Sequence, residues 1–321
     1  MWIEEFVSQL KRSTVAKLRI EQALALKEAH LPKSMFKYYR INSHSLTNLR
    51  DDTVWICSPE AYNDPYDCLF RITEADVVTA AKRGLVKDFV RIFKLERFLP
   101  PDVIKSARAS DDPLQRLVEA IPAGQVFPPD SDPVRMAQFA SVRLPKLVGD
   151  TINFIHQIRC ATKVCSFTER SDSIVMWSHY ADYHKGFCIE YDISKLPPQH
   201  LLRRGVFPAV YSASLFDLTR WSEKLVSVGR QRFNPALVLL AMTHKYKDWK
   251  YEREWRLVLT EPLLSDDRAL PVPTPTRLLL GSRITQENKT ELTGICTAKG
   301  IEVWQMERAP DAFELKSFRV A

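Results

Sequence analysis

Glycine is scarce in this chain, with nine in 321 residues. None of the nine falls in the G-x-G-x-x-G or G-x-x-x-x-G-K-[ST] spacing that cradles phosphates on main-chain amides, which excludes a Rossmann or P-loop site. A G-x-S-x-G nucleophile elbow and an H-E-x-x-H metal helix are missing too. The six cysteines, at 57, 68, 160, 165, 188 and 296, form no C-x-x-C pair. So dilute a set in a chain of this length points to reduced thiols in the cytoplasm rather than to a disulfide frame. No stretch approaches the roughly eighteen apolar residues of a membrane helix. The opening "MWIEEFVSQLKRSTVAKL" places acids where a secretory leader needs a basic and then an apolar run.

Charge is present but never in blocks. The formal charge is +7 with 26% charged residues, and the pI is about 9.0. The bases are spread along the chain, which favours an ordinary basic protein and permits contact with nucleic acid or another polyanion.

Hydrophobic periodicity divides the chain. Trp2, Phe6 and Leu10 recur at helical spacing, as do Ile20, Ala23 and Leu24, giving a helical extension over 1–33 that Pro32 ends. From 34 to 321 a single α+β domain is expected. It begins with a strand in "MFKYYRI", a short helix in "SHSLTNLRDD" opened by cap-type serines, and a strand in "TVWICSP". Residues 72–158 are a helical insertion around the proline-rich loop "EAIPAGQVFPPDSDP". Strands resume at "ATKVCSFT". A helix in "SIVMWSHYADYH" follows, then strands in "GFCIEYD" and "GVFPAVYS", the latter broken by Pro208. A helix over about 226–246 comes next. The strands "EWRLVLT" and "TRLLLGS", a helix closed by Gly300, and two last strands complete the chain. Strands and helices do not alternate, so mixed, mostly antiparallel sheets fit better than a doubly wound one.

Three stretches carry polar groups worth weighing. "HYADYHKGFC" gathers His179, Asp182, His184 and Cys188, but histidines five apart do not share a helix face, so no metal is expected there. "SPEAYNDPYD" sets Asn63, Asp64 and Asp67 on a rigid loop, either toward a site or as an Asx turn satisfying its own backbone. "KDWKYEREWRLVLTEP" holds four acids and four bases, with Glu252 and Glu254 one residue apart at the mouth of a strand. Two residues at that spacing share a side of an extended backbone. Either they are a solvated edge, with Glu254 pairing Arg256, or one is held over a substrate.

In this order, "FKYYR", "VWICSPEAYNDPYD", "CSFTE…MWSHYADYHKGFCIEYD", "WKYEREWRLV" and "LLLGSRIT" resemble the bacterial domain-of-unknown-function family 2971, over about Met35 to Phe318. The opening also resembles ADP-ribosyltransferase-like folds. There a polar first strand, a short helix with "NL", a second strand and a late glutamate form the site. That likeness implies an NAD-dependent transferase acting on nucleic acid or protein, in a bacterial toxin or phage-defence setting. NAD would be its substrate. Lys37, Tyr38 or Arg40 would orient the dinucleotide, with Ser58 and Tyr62 or Asn63 against the nicotinamide and a guanidinium from Arg40 or Arg256 at the pyrophosphate. Glu254, with Glu252 completing the pair, would be the catalytic carboxylate. The alternative is a non-enzymatic binding module of a defence or regulatory system, in which the same residues are paired and only hold the fold.

Overall fold

The computed structural model describes residues 2–12, 15–127, 132–219, 234–260 and 268–321. Two helices, α1 (Trp2–Leu10) and α2 (Ile20–Ala29), lead into strand β1 (Ser34–Tyr39), α3 (Ser43–Arg50) and β2 (Thr53–Ile56). After the short β3 (Phe70–Arg71) come α4 (Glu74–Ile92), α5 (Pro101–Ala109), α6 (Pro113–Glu119) and α7 (Pro133–Ala161). Then follow β4 (Thr162–Thr168), α8 (Ile174–Tyr180), β5 (Phe187–Asp192), α9 (Leu201–Gly205), β6 (Val206–Pro208), β7 (Val210–Ser212) and β8 (Phe216–Asp217). The chain continues through α10 (Ala236–Thr243), β9 (His244–Tyr246), β10 (Glu254–Thr260), β11 (Arg268–Pro271) and β12 (Arg277–Leu280). It closes with α11 (Gln286–Lys299), β13 (Glu302–Arg308) and β14 (Leu315–Arg319).

Eight strands form one sheet in the order β14-β13-β12-β5-β1-β4-β10-β6. Every pairing in it is antiparallel except β12 with β13, which α11 connects. Register fixes which side chains share a face, because directly opposed residues point the same way. Trp255 opposes Phe167 and Leu257 opposes Cys165. With Met35, Ile189 and Leu278 these form a continuous apolar core, covered by Leu46 and Leu49 of α3 and Leu292 and Cys296 of α11. The other face behaves differently. Val164 and Val258 lie in a cluster with Phe6 of α1 and Leu240 of α10. Phe36, Tyr38 and Leu279 lie in another with Trp177 of α8. Glu254 and Arg256 of β10, opposite Thr168 and Ser166, run between the two as a polar seam. The helices α4 to α6 and the start of α7 pack around a further cluster that includes Phe89, Leu95 and Leu114.

Several sequence expectations change in detail. Asn42, not a serine, caps α3: its side chain accepts from the Ser45 amide, and the Ser45 hydroxyl accepts from the Asn42 amide. Ile20, expected on an apolar face, is exposed. Of the helix expected over 226–246, residues 226–233 lie outside the described residues, as do residues 128–131 of the proline-rich loop. The part described is helical only over Ala236–Thr243, and its last three residues are strand β9. The strand expected through "WKYEREWRLV" starts late. Lys247–Glu252 is a 3-10 turn, and Arg253 takes a left-handed φ of 44° before β10 begins.

Candidate functional site

The sheet parts at its centre. β1 meets β4 at one position only, Phe36 with Thr168. Farther along the same edge of β4, Val164 pairs with Cys57, just past β2. Between those points Cys165, Ser166 and Phe167 have no strand on that side among the described residues. Lys37 fills one missing rung by donating from Nζ to the Ser166 carbonyl at 3.0 Å. The Tyr62 hydroxyl lies 3.4 Å from Ser166 Oγ. A cleft of about 400 Å³ opens in this gap, lined by Lys37, Arg40, Tyr62, Asn63, Glu252 and Glu254.

Five charged side chains meet in this wall: Asp67, Lys245, Glu252, Glu254 and Arg256. All are at least nine-tenths buried. Arg256 binds Glu254 through two parallel bonds of 3.0 Å, from Nε to Oε1 and from Nη2 to Oε2. Its Nη2 also donates to Asp67 at 2.9 Å, and its Nη1 to the Met242 carbonyl at 2.8 Å and to Cys68 Sγ at 3.2 Å. That uses all five donors of the guanidinium fork. Lys245 Nζ bridges the two glutamates, 2.5 Å from Glu252 Oε2 and 2.9 Å from Glu254 Oε2. Glu252 Oε1 accepts from the Tyr180 hydroxyl at 2.6 Å. The Tyr211 hydroxyl accepts from the Glu254 amide at 2.8 Å.

The two glutamates do converge, but not by strand alternation. The tight turn and the left-handed Arg253 swing Glu252 back beside Glu254, and Lys245 holds them together. Their electrostatics then separate. Burial pushes both up; at Glu254 the charges of Arg256 and Lys245 overcome it and hold the carboxyl down at about 2. At Glu252 burial wins over Lys245, with the Glu254 charge adding to it, and the carboxyl is raised. Burial likewise raises Asp67 against the pull of Arg256. Burial disfavours charged Lys245, and the two glutamates more than offset this. Three carboxylates face two cations here. With all five ionised the cluster carries one negative charge in excess, and Glu252 and Asp67, both raised by burial, are where that excess can be titrated.

The structure gathers Lys37, Tyr38, Arg40, Tyr62, Asn63, Glu252 and Glu254 around one cleft. Two expected residues are elsewhere. Ser58 does not line the cleft; it caps a 3-10 turn at Pro59–Ala61 with its hydroxyl facing the Glu60 amide. Arg256 is fully buried behind Glu254 and cannot meet a pyrophosphate; its pairing is an interior one, not the surface pair the sequence suggested. Tyr38 contributes its ring edge-on to Trp177, while its hydroxyl is spent on the Arg170 carbonyl. Of the loop acids, Asp67 joins the cluster and Asp64 caps its own turn through the Tyr66 amide. His179, Asp182, His184 and Cys188 do not converge: His184 bonds Ser178 at 3.1 Å and Cys188 is buried in the sheet.

Sequence reasoning missed Lys245, Tyr180 and Tyr211. Lys245 sits at the end of a buried apolar run, "LVLLAMTHK", and a lone lysine there is a sign that buried acids await it. Tyr180 is delivered by an unusual chain path. Asp182, Tyr183 and His184 take successive left-handed φ values of 45°, 53° and 68°. Gly186 then passes so close to β1 that a Cβ would stand 2.0 Å from the Tyr39 carbonyl oxygen.

This stretch is also where the chain resembles other proteins. A family model described as "Protein of unknown function (DUF2971)" matches residues 176–204. The likeness expected across Met35 to Phe318 is thus matched only from within α8, through the left-handed turn and β5, into α9. That segment brings Met176 and Tyr180 to the cleft, and none of the five clustered charges. No curated protein and no solved structure matches the chain. Among the described residues no helix is long and apolar enough to cross a membrane.

Proposed function

We propose that the protein is an NAD-consuming enzyme of the ADP-ribosyltransferase kind, with the cleft between β1 and β4 as its active site. The observation that carries this reading is the pair of buried glutamates, bridged by Lys245, in the wall of a cleft that Lys37 and Arg40 also line. The cleft volume of about 400 Å³ suits a nicotinamide and its ribose, within the roughly 300–1,000 Å³ of small-molecule sites. Arg40, exposed at the mouth, is placed for the pyrophosphate, which a guanidinium meets in bidentate fashion.

The reaction breaks the bond between the ribose anomeric carbon and the nicotinamide nitrogen, and the electron pair leaves with the nicotinamide. Positive charge grows on the ribose ring. The excess negative charge of the cluster stabilises it, more strongly for being fixed in a site that excludes water. The acceptor then bonds to the anomeric carbon and releases its proton. Glu252 takes that proton, because burial makes its carboxyl more basic than an ordinary glutamate, while Glu254 is committed to Arg256. The roles first assigned to the pair are thereby exchanged: Glu252 acts, and Glu254 anchors Lys245.

A second reading is a non-enzymatic binding module of a defence or regulatory system. The saturated Arg256–Glu254 pair favours it, since a fully satisfied polar network specifies a fold without any chemistry. Incubation with NAD, with and without candidate nucleic-acid and protein acceptors, separates the two. The enzyme releases nicotinamide and Glu252→Gln abolishes the release. Absence of both release and calorimetric NAD binding would leave the binding module.

A further inference from the structure

On the other side of Lys245 lies a second and larger hollow, of about 720 Å³. It shares Asn63 and Lys245 with the first cleft, so the two are separated by one wall. Its character is different: Tyr66, Tyr246 and Trp249 line it, and Asp64 is its one carboxylate. Tyr66 is 68% exposed and Tyr246 46% exposed, high values for aromatic rings. Tyr66 is held out by the Asp64 carboxylate, which accepts from its amide at 2.8 Å. Trp249 lies under the Lys245 ammonium at 5.1 Å. The Asn63 side chain makes no hydrogen bond among the described residues and is exposed where the two spaces meet.

The run beside the hollow, "KYKDWKYER" from Lys245 to Arg253, interleaves four bases with three aromatic rings and two acids, Asp248 and Glu252. Lys247, Lys250 and Arg253 are exposed, and Lys247 and Lys250 form no ion pair among the described residues. Rings that stack on any base, interleaved with cations that track phosphates, are the recurring chemistry of single-strand recognition. A duplex buries its base faces and offers such rings nothing.

We propose that this hollow and its basic rim bind a single-stranded nucleic acid, with one unstacked base held against Tyr66 and Tyr246 and its edge turned to Asn63. The strand is then the acceptor, delivered through the shared wall to Glu252. This deepens the proposed function by naming the acceptor class, and it rests on that reading for the chemistry but not for the binding.

The test is fluorescence anisotropy of a labelled DNA or RNA single strand, against the same sequence as a duplex, across a salt series. The single strand binds more tightly than the duplex. Tyr246→Ala weakens single-strand binding by roughly tenfold or more, and Tyr246→Phe restores it. The double variant Lys247→Ala, Lys250→Ala flattens the salt dependence by about 0.7 in log–log slope for each phosphate that is no longer neutralised. Absence of binding, equal binding of the duplex, or unchanged affinity in these variants overturns the proposal. So does displacement of the strand by an acidic peptide of equal affinity, which would assign the face to a protein. NAD cleavage with water as acceptor, measured on the wild-type protein, tells the two readings apart. Cleavage with no wild-type strand binding leaves the cleft standing alone; strand binding without cleavage leaves the hollow.

Discussion

The two faces of the central sheet solve the same burial problem in opposite ways. On one, Trp255 and Leu257 of β10 meet Phe167 and Cys165 of β4 in an uninterrupted apolar layer. On the other, the alternate residues of the same strand, Glu254 and Arg256, lie as far from water but are held by charge. Adjacent residues of one strand thus depend on different physics. The apolar face gains from every methylene removed from water, about 0.8 kcal/mol each. The polar seam gains only while each member keeps its partners, since a buried ion left alone costs more than the pair contributes. A face that stabilises the fold can be repacked; a face that must stay fully paired cannot, and the cleft stands on the second.

The largest break in that comparison is Arg256→Ala. It strands Glu254 and Asp67 in the interior and is expected to cost about 3–5 kcal/mol, read as a fall in the urea midpoint. On the opposite face Leu257→Ala should cost about 3 kcal/mol, and that loss should be the same at every pH where the protein is folded. Tyr180→Phe removes one hydrogen bond to a carboxylate, a change of about 1.5–2 kcal/mol. Because that bond favours the charged form of Glu252, its loss should also move the acid limb of nicotinamide release to higher pH. The smallest effect is a slope. Glu252 holds its proton more tightly folded than unfolded, so its contribution is complete below the ordinary glutamate value and fades as pH rises through its raised one. Glu254 acts in the opposite sense: its contribution is complete above the ordinary value and is lost as pH falls toward about 2. Urea titrations should show a loss of stability above the ordinary glutamate value that Glu252→Gln reduces and Leu257→Ala leaves intact.

Much of the architecture was legible because it is written in periodicity. The short β-rich runs "FKYY", "FCIEYD", "EWRLVLT" and "EVWQMER" all form strands, the second and third buried on both faces, and Gly300 marks the end of its helix with a left-handed φ of 69°. The site was legible in part. "YNDPYD" and "YEREWR" were singled out, and Asp67, Glu252 and Glu254 come together from them. What periodicity could not reveal is who pairs with whom at long range. Lys245 joins the cluster because β9 leaves the buried α10 at an angle no local pattern records, and Tyr180 because three left-handed residues turn the chain beneath β1. Arg256 was read as a surface partner because alternation gives a face, not a depth; only the packing of α10 and the Asp67 loop over that face makes it interior.

The Lys37 ammonium stands in for a neighbouring strand at the Ser166 carbonyl. A rung made by a flexible side chain is a latch rather than a rivet: it can swing aside and be replaced without either strand unravelling. Any occupant able to offer its own donor to that oxygen would release Lys37 toward the mouth of the gap, so filling the cavity and freeing a positive charge would be a single event.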